Sequence, residues 1–426
     1  MQIIFALYIL AVAPLAAGSR VLELVYPARG PEDAGAAFFR LCAAFAAGLG
    51  ILSLFHFCWL LSAPGAAGFY PPAEIALAAF CLPPLLRVCK NIRIGFSASS
   101  SAVAAALAGA LGAAVIICLI NPHSGFDAWA FWNLRARIFY LEPQRWAELF
   151  SVIDWRPNHN NMPFLPLLTA RGWALAGSCG PALPCAQSVI FAAGLCALLF
   201  AALRKSGGMA AIAAIALLGG KDFAVFASSQ KADMPFSLFA LAAFVLAAEE
   251  RGALAAGFFA GLAFWTKTEG VLLAGALAAV MAADCLKAGK SPRERLFRFA
   301  AGALPFACAA SAFKWFYSAQ AVSYLTVYPP MEMLVRAGRL AKALFIAPDG
   351  MRWYELLTLL LLAALARARG VKTGFQAFAL AAVCALALCY CAAILCDAAA
   401  IDVVINNGAY RALAQLRPLF IFACLY

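Results

Sequence analysis

Residues 103–137 read VAAALAGALGAAVIICLINPHSGFDAWAFWNLRAR. Residues 103–121 carry no charge and are rich in Ala, Leu and Ile. A helix needs about 20 apolar residues to cross the hydrocarbon core of a bilayer, so this run reads as a span. A strand of a membrane barrel would alternate apolar and polar residues, whereas here the run is continuous. Asn121, Pro122 and Gly125 stop it, and an acid follows at once, Asp127, set among Trp129 and Trp132. A span that opens onto a polar, aromatic loop is the unit from which the whole chain is read.

Outward from that stretch the pattern repeats. Apolar runs cover 3–17, 36–62, 72–86, 183–203, 208–226, 234–248, 252–265, 270–284, 297–317, 353–366 and 374–397. A shorter run covers 162–177, and another begins near 416. The last is too short to span by itself, so it ends inside the bundle or belongs to a longer chain. The first 17 residues lack the positive flank of a secretory signal and read as a first membrane helix. The composition agrees: 65% of the 426 residues are hydrophobic and 12% charged, with a mean hydropathy of +0.88. Soluble domains run near 45–50% apolar and 25% charged, so a soluble enzyme and a disordered chain are both excluded. The expected fold is an all-α polytopic membrane bundle of about 12–14 transmembrane helices.

The net charge of +12 reads as loop retention rather than nucleic-acid binding. Lys and Arg keep loops on the cytoplasmic side. Basic residues cluster at 285–298, at Arg87, Lys90 and Arg93, at Arg204 and Lys205, and at Arg367, Arg369 and Lys372. Loops 121–161, 228–234, 266–269 and 319–352 then fall on the opposite, outer side. That parity leaves no full crossing for 162–177, which contains Arg171 and reads as an interfacial or re-entrant helix. Loop 121–161 holds two of the three histidines and several Trp and Tyr side chains, a composition suited to helices at the headgroup level. The fifteen cysteines lie mostly inside apolar runs as small fillers. Cys179 and Cys185 share one outer loop, and a pairing between them is one reading. Two regions follow: N-terminal helices over 1–102, and a second region over 103–426 with outer loops 121–161 and 319–352.

Five polar constellations interrupt the runs, all on the outer side: Gly125 to Arg137, Arg156 to Pro166, Ser228 to Pro235, Phe264 to Gly270 and Tyr410 to Pro418. An Asp beside hydrocarbon is costly unless solvated or paired. Asp127 is therefore read either as the cap of the next helix or as a working carboxylate. His159 reads as a polar cap, a metal ligand or a substrate contact. Lys267 with Glu269 reads as a screened pair in a hairpin turn or as part of a site. Transporters place their charges near the bilayer midplane, whereas these sit at span ends.

In the same order the chain shows FDAWAFWNLRAR (126–137), HNNMPFLPL (159–167), KADMPFSLF (231–239), FWTKTEGVL (264–272) and YRALAQLRP (410–418). With these motifs it resembles the bacterial integral-membrane glycosyltransferases of the GT-C fold. Those relate to the dolichyl-phosphate-mannose protein mannosyltransferases and to the aminoarabinose transferase that modifies lipid A. The likeness runs from about residue 103 to the end. It departs at Asn160, Asn161 and Met162, where the family's Pro and Asp-Tyr are missing and an acidic ligand is lost. The resemblance implies a polyprenyl-phosphate sugar donor and a cell-envelope acceptor on the outer face of a bacterial inner membrane. Asp127 would be the general base, and Lys267 and Arg411 would hold the donor phosphate. Asp233 and His159 would position substrate or hold a divalent metal; relatives differ in metal use. Trp129, Trp132, Arg135 and Glu269 would line the substrate. No nucleotide motif of the G-x-x-x-x-G-K-[ST] kind is present, so no nucleotide cofactor is expected. The rival expectation is a non-catalytic transporter or flippase of a lipid-linked sugar.

Overall fold

The computed structural model describes residues 2–28, 30, 33–90, 98–152, 161–203, 209–218, 223–317, 326, 328–345, 358, 360–364, 374–397, 401 and 410–426. Among them the regular structure is helical. α1 (Phe5–Val25), α2 (Ala34–Ser62) and α3 (Tyr70–Lys90) form the N-terminal group. α4 (Ala98–Ile120) leads into a wide π-wound turn, Ala128–Asn133. Short helices follow: α5 (Leu134–Leu141), α6 (Trp146–Val152) and α7 (Phe164–Ala176). Next come α8 (Ala182–Ala202), α9 (Met209–Leu218), α10 (Phe223–Ala227), α11 (Asp233–Ala247) and α12 (Ala253–Thr266). The chain continues through α13 (Gly270–Lys287), α14 (Arg293–Tyr317), α15 (Pro330–Phe345) and α16 (Gly374–Leu395). It ends with α17 (Tyr410–Ala414) and α18 (Arg417–Leu425).

Among the described residues, seven helices are long and apolar enough to cross a membrane: α1, α2, the helix Pro64–Lys90 that contains α3, α8, α13, α14 and α16. They fit an integral membrane protein. The expected 12–14 spans exceed this number because several apolar runs form short helices and because most of the expected run 353–366 lies outside the described residues. α11 has 15 residues and α12 has 14, about 22 Å at 1.5 Å per residue against a core of about 30 Å. Both are buried throughout nearly all their length, so they lie among other helices rather than against lipid. The last apolar run, α18, is likewise packed inside the bundle over most of its length.

Lipid tails are as apolar as Leu, so packing in a membrane relies on close backbone approach at small residues. Two helix pairs show this. A Cβ on Gly257 would strike the carbonyl of Phe299, and one on Gly302 the carbonyl of Leu254, which joins α12 to α14. Gly18 and Gly48 do the same between α1 and α2, against Ala44 and Pro14.

Helix direction sets two ends. α11 starts at Asp233, α12 returns to Thr266, and α13 leaves again from Gly270 toward Lys287. The loops at 121–127, 228–233 and 266–269 therefore meet at one end. The basic loop at 285–298 lies at the other, where Lys290 pairs with Glu250 and Arg295 with Asp284.

Two expectations change. Helix α7 does not lie on the surface as an interfacial helix. It is buried almost throughout, and Phe164 at its start packs edge-on against Phe239 of α11. Phe239 is six residues below Asp233, about 9 Å along the axis. The expected aromatic belt is also mostly interior. Trp132, Trp146 and Trp173 are buried. Trp146 joins Phe57, Phe139, Phe150 and Tyr317 in one aromatic cluster. Such rings carry more packing area inside a bundle than at a headgroup surface. Trp129 alone of these four is half-exposed.

Candidate active site

The site is built from the chain ends of α4, α10, α12 and α17. After α4 the chain turns through Ser124, in the left-handed region at φ 55°, and Ser124 Oγ donates to the carbonyl of Ser229 at 3.1 Å. Gln230, also left-handed at φ 52°, ties the two loops together. Its Nε2 donates to the Pro122 carbonyl at 2.9 Å, and its Oε1 accepts from Asn133 Nδ2 at 2.9 Å. Its own N–H donates to Ser188 Oγ at 3.1 Å. A residue held at positive φ by three side-chain bonds fixes its neighbour's direction, and that neighbour is Lys231.

Lys231 Nζ lies 3.1 Å from Asp127 Oδ2, and Arg411 Nη1 lies 2.7 Å from the same oxygen. Arg411 Nε is 3.2 Å from Asp233 Oδ2, a close ion contact whose N–H is not aimed at the oxygen. Lys267 Nζ donates to Asp233 Oδ1 at 2.9 Å and to Gln415 Oε1 at 3.2 Å. It also lies 3.3 Å from Glu269 Oε1. Three carboxylates and three cations thus form one continuous network.

The backbone explains these placements. Lys267 takes an extended conformation that ends α12. Gly270 then restarts the helix where a Cβ would strike the backbone of Phe264, so Lys267 and Glu269 sit on a turn too tight for a larger residue. Asp233 opens α11, and Ser237 Oγ bridges the carbonyls of Asp233 and Gln415 at 3.0 Å each. That bridge draws the C-terminal segment onto α11 and delivers Arg411.

The network is graded in depth. The side chain of Asp233 is 2% exposed and that of Lys267 11%, while Asp127 and Glu269 are 37% and 38% exposed. Burial by itself raises the Asp127 carboxyl, but Lys231 and Arg411 outweigh it and hold the group below the usual carboxylate range. Burial lowers Lys267, yet Asp233 and Glu269 outweigh it and hold the ammonium above its ordinary value. The same opposition, with Asp233 and Asp127 as partners, raises Arg411. Asp233 Oδ2, Arg411 Nε and Gln415 Nε2 are buried without an aligned hydrogen-bond partner. Buried polar groups are normally satisfied; here Asp233 Oδ2 and Arg411 Nε face each other only as an ion contact, and Gln415 Nε2 has no hydrogen-bond partner.

The structure brings together Asp127, Asp233, Lys267, Glu269 and Arg411. The helix-cap reading of Asp127 fails, since its side chain makes no cap hydrogen bond and points at two cations instead. Arg135 is buried and donates to the Asn161 carbonyl at 3.0 Å. Trp132 is buried, and Trp129 stands edge-on to Phe126. His159 lies outside the described residues. As a metal ligand Asp233 fits poorly, because two cations already face its oxygens. Among the described residues no group of three or more His, Cys, Asp or Glu is placed to hold a metal. The suggested pairing of Cys179 with Cys185 does not form; both are free thiols.

Three residues escaped the sequence reading as site members: Lys231, Gln230 and Gln415. Lys231 carries a usable signal, lying two residues before a helix-opening Asp at a span end. The glutamines carry none, because an amide at a membrane edge is ordinary. Compared with protein-family models, curated proteins and solved structures, the chain finds no match.

Proposed function

We propose that the protein is a membrane glycosyltransferase that moves a sugar from a polyprenyl-phosphate donor to a cell-envelope acceptor at the outer membrane surface. One observation carries the reading. Residues from four distant segments, with Arg411 and Asp127 284 positions apart, converge in one charge network at one end of an otherwise apolar bundle. A small, mostly apolar cleft lined by Leu195, Phe223, Phe226 and Met234, with Ser237 and Arg417 also on its wall, lies beside Asp233. A charged network at one end of an apolar bundle suits a substrate with a phosphate at one end and a hydrocarbon chain at the other.

The chemistry follows from the pairing. At rest each cation faces a carboxylate. A donor phosphate competes for Arg411 and Lys267, which are charge-assisted donors suited to phosphate oxygens. As Arg411 turns to phosphate, Asp127 loses one of the two partners that hold its carboxyl low and becomes a better proton acceptor. The acceptor oxygen then attacks the anomeric carbon and its proton passes to Asp127. The bond from that carbon to the phosphate oxygen breaks, and the lipid phosphate leaves with its charge met by the cations.

The test is sugar transfer by the purified protein from a polyprenyl-phosphate sugar, followed by mass spectrometry, with Asp127→Asn as the comparison. Unchanged turnover in the variant removes Asp127 as base. A transporter of lipid-linked sugar remains the second reading, and one observation favours it: the ion pair of Glu74 with Arg171, buried within the helical bundle. Movement of labelled lipid across vesicles without transfer would decide for it.

A further inference from the structure

Behind the charge network lie two thiols. Cys118, in the last turn of α4, and Cys185, in the first turn of α8, are both buried and lie side by side. Cys185 Sγ also lies 3.9 Å from the Cys118 carbonyl and donates to the Pro122 carbonyl at 3.3 Å. Gln230 Nε2 donates to the same sulfur at 3.2 Å. The pair sits at the same end of the bundle as Asp127 and on the residue that aims Lys231. Cys179, the other thiol of that loop, is not part of this arrangement.

We propose that Cys118 and Cys185 are a disulfide-forming pair that staples the end of α4 to the start of α8 beneath the loop bearing Asp127. The two cysteines are 67 residues apart in sequence, and the Cys185 sulfur already touches the Cys118 backbone at 3.9 Å, so bridging them needs the local approach of two sulfurs, whose bond is about 2.05 Å long. The reaction is thiol–disulfide exchange. One thiolate attacks a small-molecule or protein disulfide, releasing a thiol. The second thiolate then attacks the mixed disulfide and releases the other half. Two protons and two electrons leave the protein, and the oxidant disulfide is reduced to two thiols. The bond takes Cys185 Sγ away from Gln230 and Pro122 and ties the launch point of loop 121–127 covalently to α8. Glycosyl transfer is not needed for this inference.

The experiment treats purified full-length protein with oxidised glutathione, blocks free thiols, and maps linked peptides by mass spectrometry without reduction. The expected result is one intramolecular link between Cys118 and Cys185. It should be reversed by dithiothreitol, lost in Cys118→Ser and in Cys185→Ser, and kept in Cys179→Ser. Two results overturn the proposal: a link from Cys179 to Cys185, or both thiols remaining free in folded protein under conditions that oxidise the unfolded chain. Because each serine variant replaces one buried thiol, folding of both is checked by gel filtration, and a wild-type link is scored independently of them.

Discussion

Among the described residues, two regions where acids meet bases are built differently. In the N-terminal group, Arg171 of α7 reaches Glu74 of α3 in a two-pronged contact, Nη2 to Oε1 at 2.6 Å and Nε to Oε2 at 2.8 Å. Tyr70 donates to the same carboxylate at 2.6 Å, and Arg171 Nη1 donates to the carbonyl of Ile9 at 3.1 Å. The pair is 1% and 0% exposed, and each group is matched by its neighbours. In the charge network the same residue types share partners unevenly, reach the surface at Asp127 and Glu269, and leave three polar atoms without an aligned hydrogen bond. A closed pair holds helices together. An open, shared network is the kind whose cations could exchange partners with the proposed phosphate.

Breaking the closed pair should have the largest effect. Removing one side leaves a buried charge without its partner, at about 3–5 kcal/mol. Glu74→Ala or Arg171→Ala should therefore sharply lower the yield and thermal midpoint of purified protein. Replacing both at once with apolar residues of similar volume should restore much of the loss. A double variant as unstable as the singles would mean the pair is not the reason for the effect.

Asp127→Asn should behave in the opposite way. It should fold with a thermal midpoint close to that of the wild type and lose transfer by roughly 10²–10⁴-fold, the usual contribution of a positioned base. Loss of folded protein would place Asp127 with the closed pair instead. Lys231→Ala should be milder. It removes one of the two cations that hold the Asp127 carboxyl low, so the acidic limb of the activity profile should move to higher pH. A profile that does not move would mean that Arg411 alone sets this carboxyl.

The pH dependence of stability has a definite sign. Because Asp127 is held below the ordinary value, its contribution is fully present above the unfolded carboxylate value of about 3.9. It is lost as pH falls through the lower folded value. Solvent screening at a group 37% exposed keeps that limb small. Melting curves of wild type and Asp127→Asn should therefore converge below about pH 4. The smallest effect belongs to the exposed pair at the other end, Lys290 with Glu250. Glu250→Gln should leave the melting temperature and any transfer activity unchanged.

Much of the candidate site was legible in order but not in shape. Asp127, Asp233, Lys267 and Arg411 stand out in sequence because a charged residue at a span end is rare and conspicuous against apolar runs. Lys231 was quoted with its motif yet not assigned, since a lysine there looks like any interfacial anchor. Arg135 and Trp132 shared the most distinctive motif but turned inward, because burial on a short helix depends on what packs above it. Glu74 was invisible: inside α3 it is one acid in an apolar run, and only the approach of Arg171 gives it a role.

The sequence by itself determined the solvent, the helical class and the clustering of polar residues at span ends. Those are properties of local composition, since some 20 apolar residues in a row must be helical in lipid to satisfy their own backbone. Tertiary structure decided which charges meet, which tryptophans are interior, which apolar runs are short buried helices rather than spans, and which thiol faces Cys185. Each of those depends on the rotation and depth of one helix against another, which close contacts such as Gly257 on Phe299 set and which no local pattern encodes.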